Sequence, residues 1–136
     1  MDLNALTQEV IGAAIEVHRA LGPGLLESAY EECLACELRL RGIPFERQYS
    51  LPLRYKGMQL DCGYRLDLLV GGCIPVELKS VERFDPIHTA QMLSYLKLGT
   101  WSVGLLINFN VPVLKTGVKR IVHRFTDTSA SSAPLR

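Results

Sequence analysis

Between Leu6 and Leu21 the apolar positions Leu6, Val10, Ala13, Ala14, Val17 and Leu21 recur at helical spacing. Gly22-Pro23-Gly24 stops this helix. A second helix is predicted from about Leu26 to Arg41, with Leu26, Ala29, Tyr30, Cys33, Cys36 and Leu40 along its apolar stripe and Gly42 as its break. After Pro44 the pattern changes to short aromatic and aliphatic runs divided by Pro and Gly: Phe45–Tyr49, Leu51–Tyr55, Met58–Cys62, Tyr64–Val70 and Ile74–Val81. These read as antiparallel strands. Asp85 offers an N-cap and Pro86 a first helical residue for a helix from Ile87 to about Leu98, closed by Gly99. Val103–Ile107, almost wholly apolar, predicts a central strand buried on both faces, and Val118–His123 one more short strand. The fold class is therefore α/β in the α+β sense, a mixed sheet flanked by helices, in one domain over 1–125. A Ser-, Thr- and Ala-rich tail over 126–136 is expected to fray.

Composition narrows this picture. With 136 residues, 48% hydrophobic and 21% charged, the chain can close one hydrophobic core, and a disordered body is excluded. No apolar run approaches the ~20 residues of a membrane span. Met1-Asp2-Leu3-Asn4 has no basic start or signal-peptide core, so a cytoplasmic location without membrane attachment is expected. Four cysteines in that compartment stay as thiols. Net charge is +1, but unevenly spread: residues 1–38 hold one base and seven acids, residues 115–136 five bases and one acid. Lys115, Lys119, Arg120 and Arg124, with Arg47, Arg54, Lys56 and Arg65 on the strands, are either solvated surface or phosphate contacts.

The chemistry concentrates in Tyr64–Lys79, where Asp67, Glu77 and Lys79 stand in an otherwise apolar hairpin. Residues two apart in a strand share a face, so Glu77 and Lys79 point the same way. The loop decides where Asp67 lies. A two-residue Gly71-Gly72 turn puts Asp67 on the face away from Glu77, whereas a three-residue Gly71-Gly72-Cys73 loop pairs Val70 with Ile74 and sets Asp67 opposite Glu77. Pro75, which lacks a ladder donor, also points to a local irregularity. Two carboxylates ~5 Å apart repel by roughly 3 kcal/mol at an effective dielectric near 20. Lys79 offsets part of this and a hard divalent cation the rest, an arrangement suited to phosphodiester hydrolysis. An ordinary solvated Glu77–Lys79 ion pair is the plainer alternative.

Asp67 followed by Glu77-Leu78-Lys79 resembles the bipartite motif of the PD-(D/E)xK nuclease superfamily, with Leu66 where the signature proline would stand. Gly24-Leu-Leu-Glu27-Ser-Ala-Tyr30 resembles the motif that names the GxxExxY family within it, and the likeness runs from about Ile11 to Val122. The resemblance implies a restriction-endonuclease-like core of helix, three antiparallel strands, helix and a further strand. It also implies a metal site for Mg²⁺ or Mn²⁺ formed by Asp67, Glu77, the Leu78 carbonyl and Glu27, with Lys79 beside the attacking water. Gln91 and Tyr95 match a Q-x-x-x-Y element whose side chains face the catalytic strands.

Cys33-Leu-Ala-Cys36, with Cys62 and Cys73, has the count for a thiolate metal site, but the pair falls on the predicted apolar stripe and reads as small buried hydrophobes. The leading expectation is a metal-dependent nuclease acting on DNA. The alternatives are a catalytically weak module on the same fold that binds nucleic acid or a partner, and a thiol metal-binding protein. A bare core of this length has few appendages for choosing a substrate, so a homodimer or a partner protein is expected to help.

Overall fold

The computed structural model describes residues 1–124. The tail expected at 126–136 lies outside them. Two helices come first, α1 (Leu3–Leu21) and α2 (Glu27–Leu40). Strand β1 (Phe45–Ser50), a hairpin of β2 (Leu53–Tyr55) and β3 (Met58–Leu60), and strands β4 (Arg65–Val70) and β5 (Ile74–Lys79) follow. Helix α3 (Pro86–Gly99) then leads to β6 (Val103–Asn108), a 3-10 turn and β7 (Val118–Val122). The main sheet has the order β1-β4-β5-β6-β7, parallel at β5/β6 and antiparallel elsewhere. The architecture is the expected α+β one. The predicted second and third strands differ, because β2 and β3 pair only with each other and form a separate ribbon.

Helix α1 starts earlier than its apolar period, at Leu3, because the Asp2 carboxylate caps the Ala5 N–H. Its predicted stripe is buried at Val10, Ala13, Ala14 and Val17. The stripe predicted for α2 is displaced: Leu26 and Leu40 are exposed, and Tyr30, Leu34 and Leu38 form the buried face with Glu31 and Ala35. Cys36 is exposed too, whereas Cys33, like Cys73 on the sheet side, packs against the core. Helices α1 and α2 cover one sheet face, over Leu68, Val70, Ile74, Val76, Leu78, Leu105 and Ile107. Helix α3 covers the other, with Met92 and Leu96 on Leu106 and Ile121, and Tyr95 on Leu66 and Leu69. Asp85 caps α3 and Pro86 opens it, as predicted.

The β4–β5 loop is the three-residue form. Val70 pairs with Ile74, and Gly71 and Gly72 take φ of 61° and 71°, a region that glycine enters without strain. Pro75 is in register with Leu69 and precedes the first β5–β6 pair, Val76 with Leu105, so its missing N–H interrupts no parallel ladder. The irregularity lies instead at Asp67.

Candidate active site

Strand β4 is regular from Leu68 to Val70 and changes character at Asp67. The β4–β5 ladder ends at the Leu68–Val76 pair, one step short of Asp67 and Glu77. On the other side, Arg47 pairs with Leu68 and Tyr49 with Leu66, but Gln48, opposite Asp67, drops out of the ladder with φ 49°. Leu66 and Leu68 share a face in a regular strand, yet Leu66 packs under α3 with Tyr95 while Leu68 packs under α1 and α2. The sheet is thus parted around Asp67 on both edges.

Side chains take up the backbone groups released there. The Asp67 N–H donates to Glu77 Oε2 at 2.7 Å, and the Leu78 N–H donates to Asp67 Oδ2 at 2.8 Å. Each carboxylate therefore bonds the opposing strand through one oxygen. The other oxygen of each accepts no hydrogen bond among the described residues. Glu77 is only 7% exposed. Burial first, then the Asp67 charge, pushes its carboxyl up to about 8, against the pull of the Asp67 N–H and Lys79. Burial also raises Asp67, opposed by the Leu78 N–H and reinforced by the charge of Glu31. Lys79, half-buried at the end of β5, has the Glu77 face by strand alternation.

Glu27, in the first turn of α2, is exposed and accepts the Ser80 N–H at 3.2 Å. Its charge acts on both Asp67 and Glu77. Ser80 Oγ donates to the Leu25 carbonyl, so α2 is docked onto the end of β5 from two directions. Tyr30 holds the turn before α2: its hydroxyl donates to the Gly22 carbonyl at 2.6 Å and accepts the Leu25 N–H, and its ring stacks on Phe109 at 4.4 Å. In the Gly24-x-x-Glu27-x-x-Tyr30 motif, then, the tyrosine fixes the turn and the glutamate reaches the end of β5. The Tyr30 ring is buried, as its place on the predicted stripe implies, while its hydroxyl serves the turn.

Tyr95 is 5% exposed. It packs on Leu66, the residue before Asp67, and burial raises its hydroxyl, with the charges of Glu77 and Asp67 adding to this. Gln91 is exposed, one turn earlier on α3, and lines a cleft with Tyr95 and Tyr64.

Two contributors carry little signal of their role in the sequence pattern, Glu31 and Asn108. Glu31, 8% exposed, is gripped by Arg47 Nε at 3.0 Å and Gln48 Nε2 at 2.9 Å. One acid among seven in the first 38 residues carries no local signal of burial. Asn108, 2% exposed at the end of β6, binds both Val81 N–H and Val81 C=O and so ties down the segment after Lys79. The Asn after the apolar run Leu105–Ile107 was its only available cue.

Among the described residues no three His, Cys, Asp or Glu side chains are grouped to hold a metal ion. The four cysteines are free thiols, two of them exposed. What the donors at the parted strands offer is a facing pair of hard oxygens. Mg²⁺ and Mn²⁺ are served by one or two protein carboxylates completed by water and substrate phosphate, so this donor set fits them.

A mixed sheet between helical layers, with an acidic pair and a lysine where its central strands part, defines the class as a restriction-endonuclease-like α+β fold. The chain belongs to the PD-(D/E)XK nuclease superfamily, which it matches over residues 4–121. No curated protein and no solved structure matches it. No helix among the described residues is long and apolar enough to cross a membrane.

Proposed function

We propose that the chain is a metal-dependent nuclease of the GxxExxY branch, hydrolysing phosphodiester bonds in DNA at Asp67, Glu77 and Lys79. The observation that carries this reading is the cross-bonded carboxylate pair in the gap between β4 and β5, where Glu77 is pushed up to about 8. A buried acid held face to face with a half-buried one is costly for the fold, and the cost is offset once a cation shares them. Asp67 Oδ1 and Glu77 Oε1 would hold Mg²⁺ or Mn²⁺. Leu78 aims its N–H at β4, and in a strand the N–H and C=O of one residue face the same neighbour, so its carbonyl opens on the same gap. Glu27 borders that gap through Ser80.

A bound divalent ion supplies Lewis acidity at a phosphoryl oxygen and a lowered pKa for water. The chain's own groups do the rest. Asp67 and Glu77 bring negative charge to the cation and are themselves kept in place by the backbone of the facing strand. Lys79, on the Glu77 face, orients the attacking water and offsets the charge gathering on the phosphate as water adds to phosphorus and the P–O bond to the leaving oxygen breaks. Tyr95 and Gln91 order the α3 side. Four free thiols accord with a reducing, cytoplasmic setting.

The test is cleavage of labelled single-stranded and duplex DNA with Mg²⁺ or Mn²⁺ by the wild type, Glu77→Gln and Lys79→Ala, with folding followed by circular dichroism. The expected result is metal-dependent cleavage that falls by about 10²-fold or more in both variants. Equal rates in all three, or no cleavage by the wild type, would leave a binding module as the better account.

A further inference from the structure

Beside the carboxylate pair, between α3 and the residues leading into β4, lies a cleft of about 300 Å³ lined by Leu53, Tyr64, Ile87, Gln91, Ser94 and Tyr95 among others. None of its lining side chains is charged. Two aromatic rings form one wall, Tyr64 meeting Tyr95 edge to face at 6.1 Å. Tyr95 is buried against Leu66, the residue before Asp67, whereas Tyr64 is 42% exposed and Ile87 64% exposed. Neither the Gln91 amide nor the Ser94 hydroxyl has a hydrogen-bond partner among the described residues. An apolar floor, a free aromatic face and unengaged polar groups at the mouth suit a flat heteroaromatic ring with polar edges.

The surroundings identify what carries that ring. Arg54 follows Leu53, Lys56 lies over the Tyr55 ring at 5.4 Å, and Arg65 follows Tyr64. None of these three bases makes a salt bridge among the described residues. The single acid of the ribbon, Asp61, is turned to the Gly63 N–H. Arg65 Nη1 donates only to neutral partners, Ser50 Oγ and the Tyr64 carbonyl. A neutral cleft with cations free of acidic partners on the adjoining residues suits a strand whose bases enter the cleft while its phosphates follow the cations. A base inside a duplex is stacked and paired and cannot enter without extrusion.

We infer that this cleft receives an unstacked nucleobase next to the scissile phosphate, so that the substrate class is single-stranded nucleic acid. The inference rests on the nuclease reading only for the position of the scissile bond, and the binding experiment below separates the two.

The full-length wild type, Tyr64→Ala, Tyr64→Phe and Gln91→Ala are mixed, in EDTA, with fluorescent oligo-dT, oligo-U and a blunt DNA duplex of equal length, and anisotropy is followed. Either single strand is expected to bind at least about tenfold more tightly than the duplex, with the tighter of the two naming the sugar. Tyr64→Ala is expected to weaken single-strand binding by about tenfold and Tyr64→Phe to restore it, since the ring face stacks on the base. Because Tyr64 is partly exposed, its truncation leaves the core intact. Duplex binding equal to or tighter than single-strand binding overturns the inference. So does Tyr64→Ala binding single strands as well as the wild type. Tight, Tyr64-dependent binding of single strands by a protein that cleaves nothing keeps the cleft and sinks the nuclease. Cleavage accompanied by duplex preference does the reverse.

Discussion

Glu77 is buried, faces another acid and accepts one backbone hydrogen bond. Its ordinary value of 4.5 is raised to about 8, so between those values the folded protein holds a proton that the unfolded chain has released. Stability from this group is complete below about 4.5 and is lost as pH rises through about 8. Asp67, also raised by burial, acts in the same direction. In metal-free protein, urea unfolding at pH 6 and pH 9 is expected to show the wild type losing a few kcal/mol on going to the higher pH, and Glu77→Gln losing much less. Identical losses would show that the Glu77 proton is not coupled to folding. At this scale the catalytic candidates were legible because Asp67, Glu77 and Lys79 interrupt an apolar hairpin. Glu31 and Gln48 were not, since a buried glutamate held by an arginine and a glutamine of another element looks in sequence like any helix acid.

The β4–β5 hairpin shows how one element decides the chemistry. Loop length sets register, and register decides whether Asp67 and Glu77 share a face. Gly71 and Gly72 both lie at positive φ, which makes the three-residue loop inexpensive. Deleting Gly72 shortens it to two residues and turns Asp67 away from Glu77, so metal-dependent cleavage is expected to vanish while circular dichroism still reports a sheet. Gly72→Asn, a residue that tolerates the left-handed region and has open space there, is expected to keep it. Retained cleavage in the deletion variant would contradict the register argument. The spacing alone leaves both loops open, and only the longer one gives Asp67 and Glu77 a shared face. Helix α2 departs from its predicted stripe. Its buried face follows Tyr30, Leu34 and Leu38, whereas the stripe from Leu26 to Leu40 was drawn through positions that tertiary packing leaves exposed.

Across the whole molecule the sheet is held between two helical layers, and α3 packs on β6 and β7 through Met92 and Leu96. A Cβ at Gly104 would stand 2.5 Å from Met92 Sδ and 3.3 Å from Leu96 Cδ2, so Gly104→Val displaces the Met92 side chain and crowds the α3 layer. Overpacking of this kind costs about 1–3 kcal/mol, which urea unfolding would register, and unchanged stability would show that α3 yields freely. The layering also divides the basic C-terminal run. Lys119 reaches Thr89 on the α3 side and Arg120 reaches Asn4 on the α1 side, so residues adjacent in sequence do not make one cationic patch. The order of helices and main-sheet strands followed from periodicity. The detachment of β2 and β3 did not, because two short strands carry no mark of whether they join a larger sheet.

The central claim is that the parted strands hold a divalent cation between Asp67 and Glu77. Its most direct test is calorimetric titration of the full-length protein with Mn²⁺ at pH 6.5 and pH 8.5, alongside Glu77→Gln and Asp67→Asn. The account predicts tighter binding at the higher pH, proton release on binding near neutrality because Glu77 must give up its proton, and at least about tenfold weaker binding in either variant. Mn²⁺ binding that is unchanged in both variants, or insensitive to pH across the range where Glu77 titrates, would contradict it.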